Sequence, residues 1–132
     1  MLKEYDIRVY DEEVFAKLLS GGNQQKVILA RELSKKPSIL IAAQPIRGLD
    51  IGAVEYIHKK ILESADNGCA VLIVSTDLDE IINLSDRIAV LYEGKIMKII
   101  DTKHVIREQI GLMMAGIKVE INNISGGVNG KK

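Results

Sequence analysis

The sequence predicts an α/β unit, a mostly parallel sheet flanked by helices and followed by a C-terminal β-hairpin and a last helix. Three observations predict it. Two short apolar runs, Ile39 to Ala43 and Ala70 to Val74, lack the alternation of half-exposed strands and read as buried parallel strands. Between them lies a stretch with apolar residues at Val54, Ile57, Ile61 and Ala65, whose steps of three and four fall on one helix face. Beyond them, Arg87 to Tyr92, then Glu93-Gly94, then Lys95 to Ile100 read as strand, tight turn and returning strand. Strands that alternate with helices pair in parallel, because the helix carries the chain back to the same end of the sheet.

Taken in order, residues 1–18 are mixed and charged, with a cluster at Asp11, Glu12 and Glu13 and a short helical turn expected from Glu12 to Leu18. Ser20-Gly21-Gly22-Asn23 is a break that also supplies N-cap chemistry. A helix follows from Gln24 to Ser34, with Val27, Ile28, Ala30 and Leu33 as its apolar set, and it ends before Pro37. The first strand covers Ser38 to Ala43, Pro45 ends it, and Ile46 to Gly52 is a loop. The next helix closes at Asn67-Gly68, as a left-handed C-cap would. After the second strand, Thr76 and Asp77 can cap a short helix from Leu78 to Asn83. The returning hairpin strand alternates through Ile96, Met97 and Ile99. Thr102 is expected to cap a last helix from Val105 to Ala115, and the chain from Ile121 reads as a flexible tail. The expected division is residues 1–117 for the α/β part and 118–132 for the tail.

Composition narrows the function classes. At 132 residues, 47% hydrophobic and 27% charged, the chain has room for one domain and enough apolar content for a core. Lys+Arg and Asp+Glu both total 18, so no sequence-wide basic field favours nucleic acid. A single cysteine, Cys69, excludes an intramolecular disulfide and a cysteine-built metal site, and two histidines make a His-rich site equally unsupported. No apolar run approaches the ~20 residues of a membrane-spanning helix, and Met1 to Tyr10 carries no signal-peptide core. The expected location is therefore cytoplasmic. His58 and His104 are expected to be solvated, Cys69 to be a small core or boundary residue, and Met113 and Met114 to pack.

Two segments carry candidate chemistry. Ser20-Gly21-Gly22-Asn23-Gln24-Gln25 opens a helix, where free amides and the positive end of the helix dipole favour a phosphate and Ser20 adds a hydroxyl. The same pattern also serves as an ordinary N-cap with a Gly-Gly turn. The second segment is the end of the first strand, Ala43-Gln44-Pro45, followed by Arg47-Gly48-Leu49-Asp50. A phosphate-hydrolysing site would want an Asp for Mg²⁺ and a Glu to orient water there. Ala43 cannot hold a metal-bound water, and Gln44 can hydrogen-bond water but cannot accept its proton.

These segments together resemble the C-terminal part of an ATP-binding subunit of an ABC transporter. Leu19 to Lys26 (LSGGNQQK) resembles the family's signature loop, and Ala42 to Ala53 (AAQPIRGLDIGA) its Walker B region and D-loop. Val74 to Ile81 (VSTDLDEI) resembles the switch region, and Ser85 to Ile96 (SDRIAVLYEGKI) the hairpin after it. The resemblance covers roughly residues 2–117 and is strongest for the second ATP-binding domain of fused importers for nucleosides and simple sugars. It implies a partial P-loop NTPase domain.

It also implies roles. Ser20, Gly21, Gly22, Asn23 and Gln24 would contact the γ-phosphate of ATP held by the opposite domain, and Asp50 would lie across the dimer interface. Ala43, Gln44 and Thr76 stand where the family has its metal-binding Asp, catalytic Glu and switch His, so this domain's own hydrolytic site is expected to be degenerate. No P-loop GxxxxGK[ST] occurs in the chain, which leaves the β- and γ-phosphates without a cradle of their own. The chain is thus expected to be the latter part of a domain, inactive by itself, binding neither ATP nor Mg²⁺ tightly and holding no metal.

The implied partners are the first ATP-binding domain of the same importer, its transmembrane permease subunits and, indirectly, a periplasmic or lipoprotein solute-binding protein. The implied place is the inner face of the cell membrane. Two other readings remain open: a non-enzymatic interaction fragment that self-associates through exposed sheet edges, and a soluble ABC-type ATPase unconnected with transport.

Overall fold

A computed structural model describes residues 20–120. The helical turn expected over Glu12–Leu18, the first residue Leu19 of the signature-like segment and the tail from Ile121 lie outside the described residues. The chain divides into two compact units between Ser85 and Asp86.

The first unit holds α1 (Gly21–Ser34), β1 (Ile39–Ala43), α2 (Ile51–Asp66), β2 (Ala70–Val74) and α3 (Leu78–Leu84). β1 and β2 pair in parallel from Ile39↔Ala70 to Ala43↔Val74, as the strand–helix–strand order predicts. The core lies on one face of this pair: Leu29 of α1, Leu40 of β1 and Ile57 and Ile61 of α2 are buried together, with Ala42, Val71 and Ile73 packed against them. The opposite face is bare, with Ile39 67%, Ile41 66%, Leu72 55% and Val74 51% exposed. The expectation of strands buried on both faces is therefore corrected. An apolar run states that both faces are suited to burial, and among the described residues helices cover only one of them.

Helix starts also depart from expectation. α1 begins at Gly21, not Gln24, with Ser20 as N-cap. Its two glycines are tolerated in the first turn because that turn lies against α2: a Cβ placed on Gly22 would sit 2.9 Å from the Cβ of Ala53. α1 ends where Lys36 turns left-handed (φ 48°) just before Pro37. α2 begins at Ile51, inside the expected loop, because the side chain of Asp50 accepts a hydrogen bond from the Ala53 amide at 3.0 Å and caps it. It closes at Asn67 with Gly68 left-handed (φ 93°), as expected. α3 is capped by Asp77, which accepts from the Glu80 amide at 3.0 Å, while Thr76 makes no cap.

The second unit holds β3 (Arg87–Tyr92), β4 (Lys95–Asp101), a 3₁₀ turn (Thr102–His104) and α4 (Arg107–Met114). The strands form the expected antiparallel hairpin, with an irregularity between Val90 and Leu91. Ile88, Val90 and Ile100 are buried on one hairpin face, and Ile110 and Met113 of α4 are buried as well. The returning strand therefore buries Ile100 opposite Ile88, while Ile96 and Ile99 face out. The last helix starts later than expected and without Thr102 as its cap. Val105 and Ile106 hold extended backbone (ψ 134° and 116°), a conformation that suits two adjacent β-branched residues, so Thr102 opens only the 3₁₀ turn. After α4, Gly116 at φ 83° lies under the ring of Tyr92, where a Cβ would meet Cε1 at 2.5 Å.

Candidate functional site

The site is assembled from helix starts and strand ends of the first unit. At the start of α1, Ser20 accepts a hydrogen bond from the Asn23 amide through Oγ at 3.3 Å, and the Gln24 amide donates to the Ser20 carbonyl at 2.9 Å. Those two bonds use the third and fourth amides of the helix. The amides of Gly21 and Gly22 have no i−4 carbonyl inside α1 and point along the axis with the positive end of its dipole. Ser20 Oγ accepts from Asn23, so its proton remains available to donate. Of these residues Ser20 and Gly21 are exposed and Gly22 is buried, so an oxyanion could reach the helix start from the Ser20–Gly21 side.

The loop before α2 lies beside this turn. A Cβ on Gly21 would be 3.8 Å from Leu49 Cδ2, and one on Gly22 would be 3.4 Å from Asp50 Oδ2. Asp50 therefore stands next to the α1 start within the same chain, with Oδ1 capping α2 and Oδ2 turned toward Gly22. The fold thus brings Ser20, Gly21, Gly22 and Asp50 together although 28 to 30 positions separate Asp50 from the others in sequence.

Ala43, Gln44 and Thr76 gather at the C-terminal end of the parallel pair, where α/β folds place ligands. Ala43 pairs with Val74, and the Gln44 amide donates to the Val74 carbonyl at 2.7 Å. Gln44 holds a left-handed backbone (φ 50°), an uncommon state for a residue with a side chain. Thr76 is exposed just beyond β2. Mg²⁺ finds no donor set: among the described residues no three His, Cys, Asp or Glu side chains group together, and Ala43 has no side-chain oxygen. At the start of α1, Ser20 and Gly21 are exposed whereas Gly22 is buried against α2, so a phosphate oxygen would have to approach from the Ser20–Gly21 side.

His58 is not solvated: it is half-buried, and its Nε2 lies 3.3 Å from Oε1 of Glu80, a residue only 2% exposed. Its position one step beyond Ile57 turns it toward α3, which helical spacing alone could not reveal. His104 is exposed and Cys69 lies at the core boundary, as expected. Met113 packs, whereas Met114 is exposed. Sequence reasoning missed Glu80, whose short charged helix carries no burial signal. It also missed Lys26, although spacings of four and three place Lys26 on one stripe with Gly22 and Leu29. No described helix is long and apolar enough to cross a membrane.

No family model matches the chain. Over 116 residues, 88% of its length, the chain is 53% identical to the guanosine import ATP-binding protein NupO of Bacillus subtilis (strain 168). It is 49% identical, again over 116 residues, to the nucleoside import ATP-binding protein NupA of Lactococcus lactis subsp. cremoris (strain MG1363). The chain spans 23% of the length of each of these relatives. Among solved structures it resembles the dimeric, ADP- and Pi-bound ATP-binding cassette MJ0796, with a TM-score of 0.68 and 28% identity over 76% of this chain and 44% of that one.

Proposed function

Because the chain carries part of an ABC transporter ATP-binding cassette, we propose that it supplies the signature turn and the Asp50 loop to a composite ATP site, in a nucleoside or simple-sugar importer. The nucleotide is held by another cassette domain, and this segment closes over its terminal phosphate. The observation that supports the reading is the start of α1: an exposed Ser20–Gly21 helix start, capped through Ser20 Oγ, stands beside Asp50.

The chemistry follows from that point. As the terminal phosphoryl group separates, charge accumulates on its oxygens, and preoriented amides stabilise that charge without reorganising. Ser20 donates a hydrogen bond while its cap to Asn23 keeps the hydroxyl in place. Asp50 keeps the α2 start against α1 and orders the interface. The end of β1 contributes no hydrolysis: Ala43 binds no metal, Gln44 takes no proton, and Thr76 has no imidazole. Mg²⁺ belongs with the nucleotide in the assembled subunit, not with this segment. The reading implies a companion ATP-binding domain and membrane permease subunits as partners and a station at the cytoplasmic face of the membrane.

The test uses the intact importer. Ser20→Arg fills the phosphate position with a long side chain and is expected to abolish ATP turnover and transport. Ala43→Asp with Gln44→Glu is expected to change turnover little. Normal transport by Ser20→Arg would overturn the reading. The second reading, an interaction fragment, is favoured by one observation, the bare apolar face of Ile39, Ile41, Leu72 and Val74.

A further inference from the structure

Lys26 is buried in α1, at 7% exposure. Its ammonium nitrogen lies 4.6 Å from the centroid of the Tyr56 ring in α2, and Lys60 Nζ approaches the same ring at 5.9 Å. Burying a lysine is costly, and a leucine or methionine stem would fill the same volume without that cost. A cation placed over an aromatic face gives a contact that depends on charge and direction.

The position of the contact suggests what it does. α1 and α2 lie side by side from their first turns, where Gly22 approaches Ala53. Gly22 has no side chain with which to grip α2. One turn further on the same face, at i+4, Lys26 reaches Tyr56, which stands three residues after Ala53. Ala30, one turn beyond Lys26, also packs against Tyr56. The ring is thus the point at which the glycine-tipped end of α1 is held in register with the helix that Asp50 caps.

We propose that Lys26 is a positioning residue, whose ammonium–ring contact with Tyr56 sets the first turn of α1, Gly21 and Gly22, against the Asp50 loop. The inference rests on the phosphate role proposed for that turn. It extends that role to a residue that touches no nucleotide.

Two measurements test it. In the intact subunit that carries this sequence, Lys26→Met is expected to lower kcat for ATP about tenfold while KM stays within about twofold, because the nucleotide is held elsewhere and only the placement of stabilising amides is lost. Lys26→Arg keeps a cation over the ring and is expected to recover most of the rate. Tyr56→Phe keeps the ring and behaves likewise, whereas Tyr56→Leu matches Lys26→Met, and the double variant is no worse than either alone. In the full chain by itself, Lys26→Met is expected to speed hydrogen exchange at Asn23 and Gln24, with α2 amides from Ile57 onward unchanged.

Wild-type kcat in Lys26→Met, or a Lys26→Arg variant as impaired as Lys26→Met, overturns the inference. So does unchanged exchange at Asn23 and Gln24. Ser20→Arg run in parallel separates the two ideas. If it is inactive while Lys26→Met turns over normally, only the positioning role fails. If Ser20→Arg turns over normally, the phosphate role fails, and the exchange measurement decides whether Lys26 still orders the turn.

Discussion

At the residue scale, charge and burial have been distributed differently from what composition suggests. Glu80 is nearly sealed from solvent, with Oε1 facing His58 and Oε2 without a hydrogen-bond partner among the described residues. Removing the imidazole would take away the polar group that faces Glu80 Oε1. His58→Leu is therefore expected to destabilise the chain by about 1–3 kcal/mol in urea unfolding, more than Glu80→Gln does. On the surface, Glu32 is held below the ordinary carboxylate value of 4.5, first by its hydrogen bond from Lys35 and then by that from Arg31. A carboxylate with a lowered folded-state pKa adds stability that is present above its unfolded value and is lost as pH falls through the lowered one. The group is solvent-exposed, so the effect is small. NMR titration should place the Glu32 midpoint below 4.5, and Lys35→Met should raise it. A midpoint unmoved by that substitution would show that the Lys35 contact carries no weight.

At the element scale, the contact between α1 and α2 is the feature on which the site depends. Both helices are capped by their own preceding residue, Ser20 and Asp50, and both caps lie at one end of the pair. Gly22 is required there by space, not by backbone conformation. Gly22→Ala puts a methyl group 2.9 Å from the Ala53 Cβ. The expected cost is about 1–3 kcal/mol of stability, since one helix must retreat. Chemical denaturation measures it, and restoring space with Ala53→Gly in the same chain should recover part of the loss. An unchanged midpoint in Gly22→Ala would mean that the two first turns are not in contact in solution.

At the scale of the whole chain, each sheet has two strands among the described residues, with edges that no other described strand pairs. The first also shows solvent a face made of Ile39, Ile41, Leu72 and Val74. Such a face is disfavoured in water and favours association. The chain at micromolar concentration is expected to show a light-scattering mass above 14.6 kDa, and Ile41→Lys with Leu72→Lys should lower it toward that value. A parent chain that is monomeric across the range would contradict this. With no GxxxxGK[ST] segment anywhere in its sequence, the chain is also expected to bind Mg-ATP weakly and to hydrolyse none. Micromolar affinity by calorimetry would refute that.

How much could be read from the residues differs from place to place. The alternation of β1, α2 and β2 and the hairpin at Glu93-Gly94 were legible, because period and turn chemistry are local. Ser20 to Gln24 as a phosphate-contacting turn, Asp50 as an interface residue and the departures at Ala43, Gln44 and Thr76 are candidates drawn from motifs that run in order along the chain. Helix starts were misjudged at Gly21 and Arg107, where packing against α2 and two extended β-branched residues outweighed simple propensity. Four matters were left to the tertiary structure: which face of β1 and β2 is covered, that Asp50 stands beside Gly22, that Lys26 lies on Tyr56, and that His58 meets Glu80. Each joins residues far apart in sequence. Sequence period states which side of an element can be buried, whereas only the folded chain decides what, if anything, buries it.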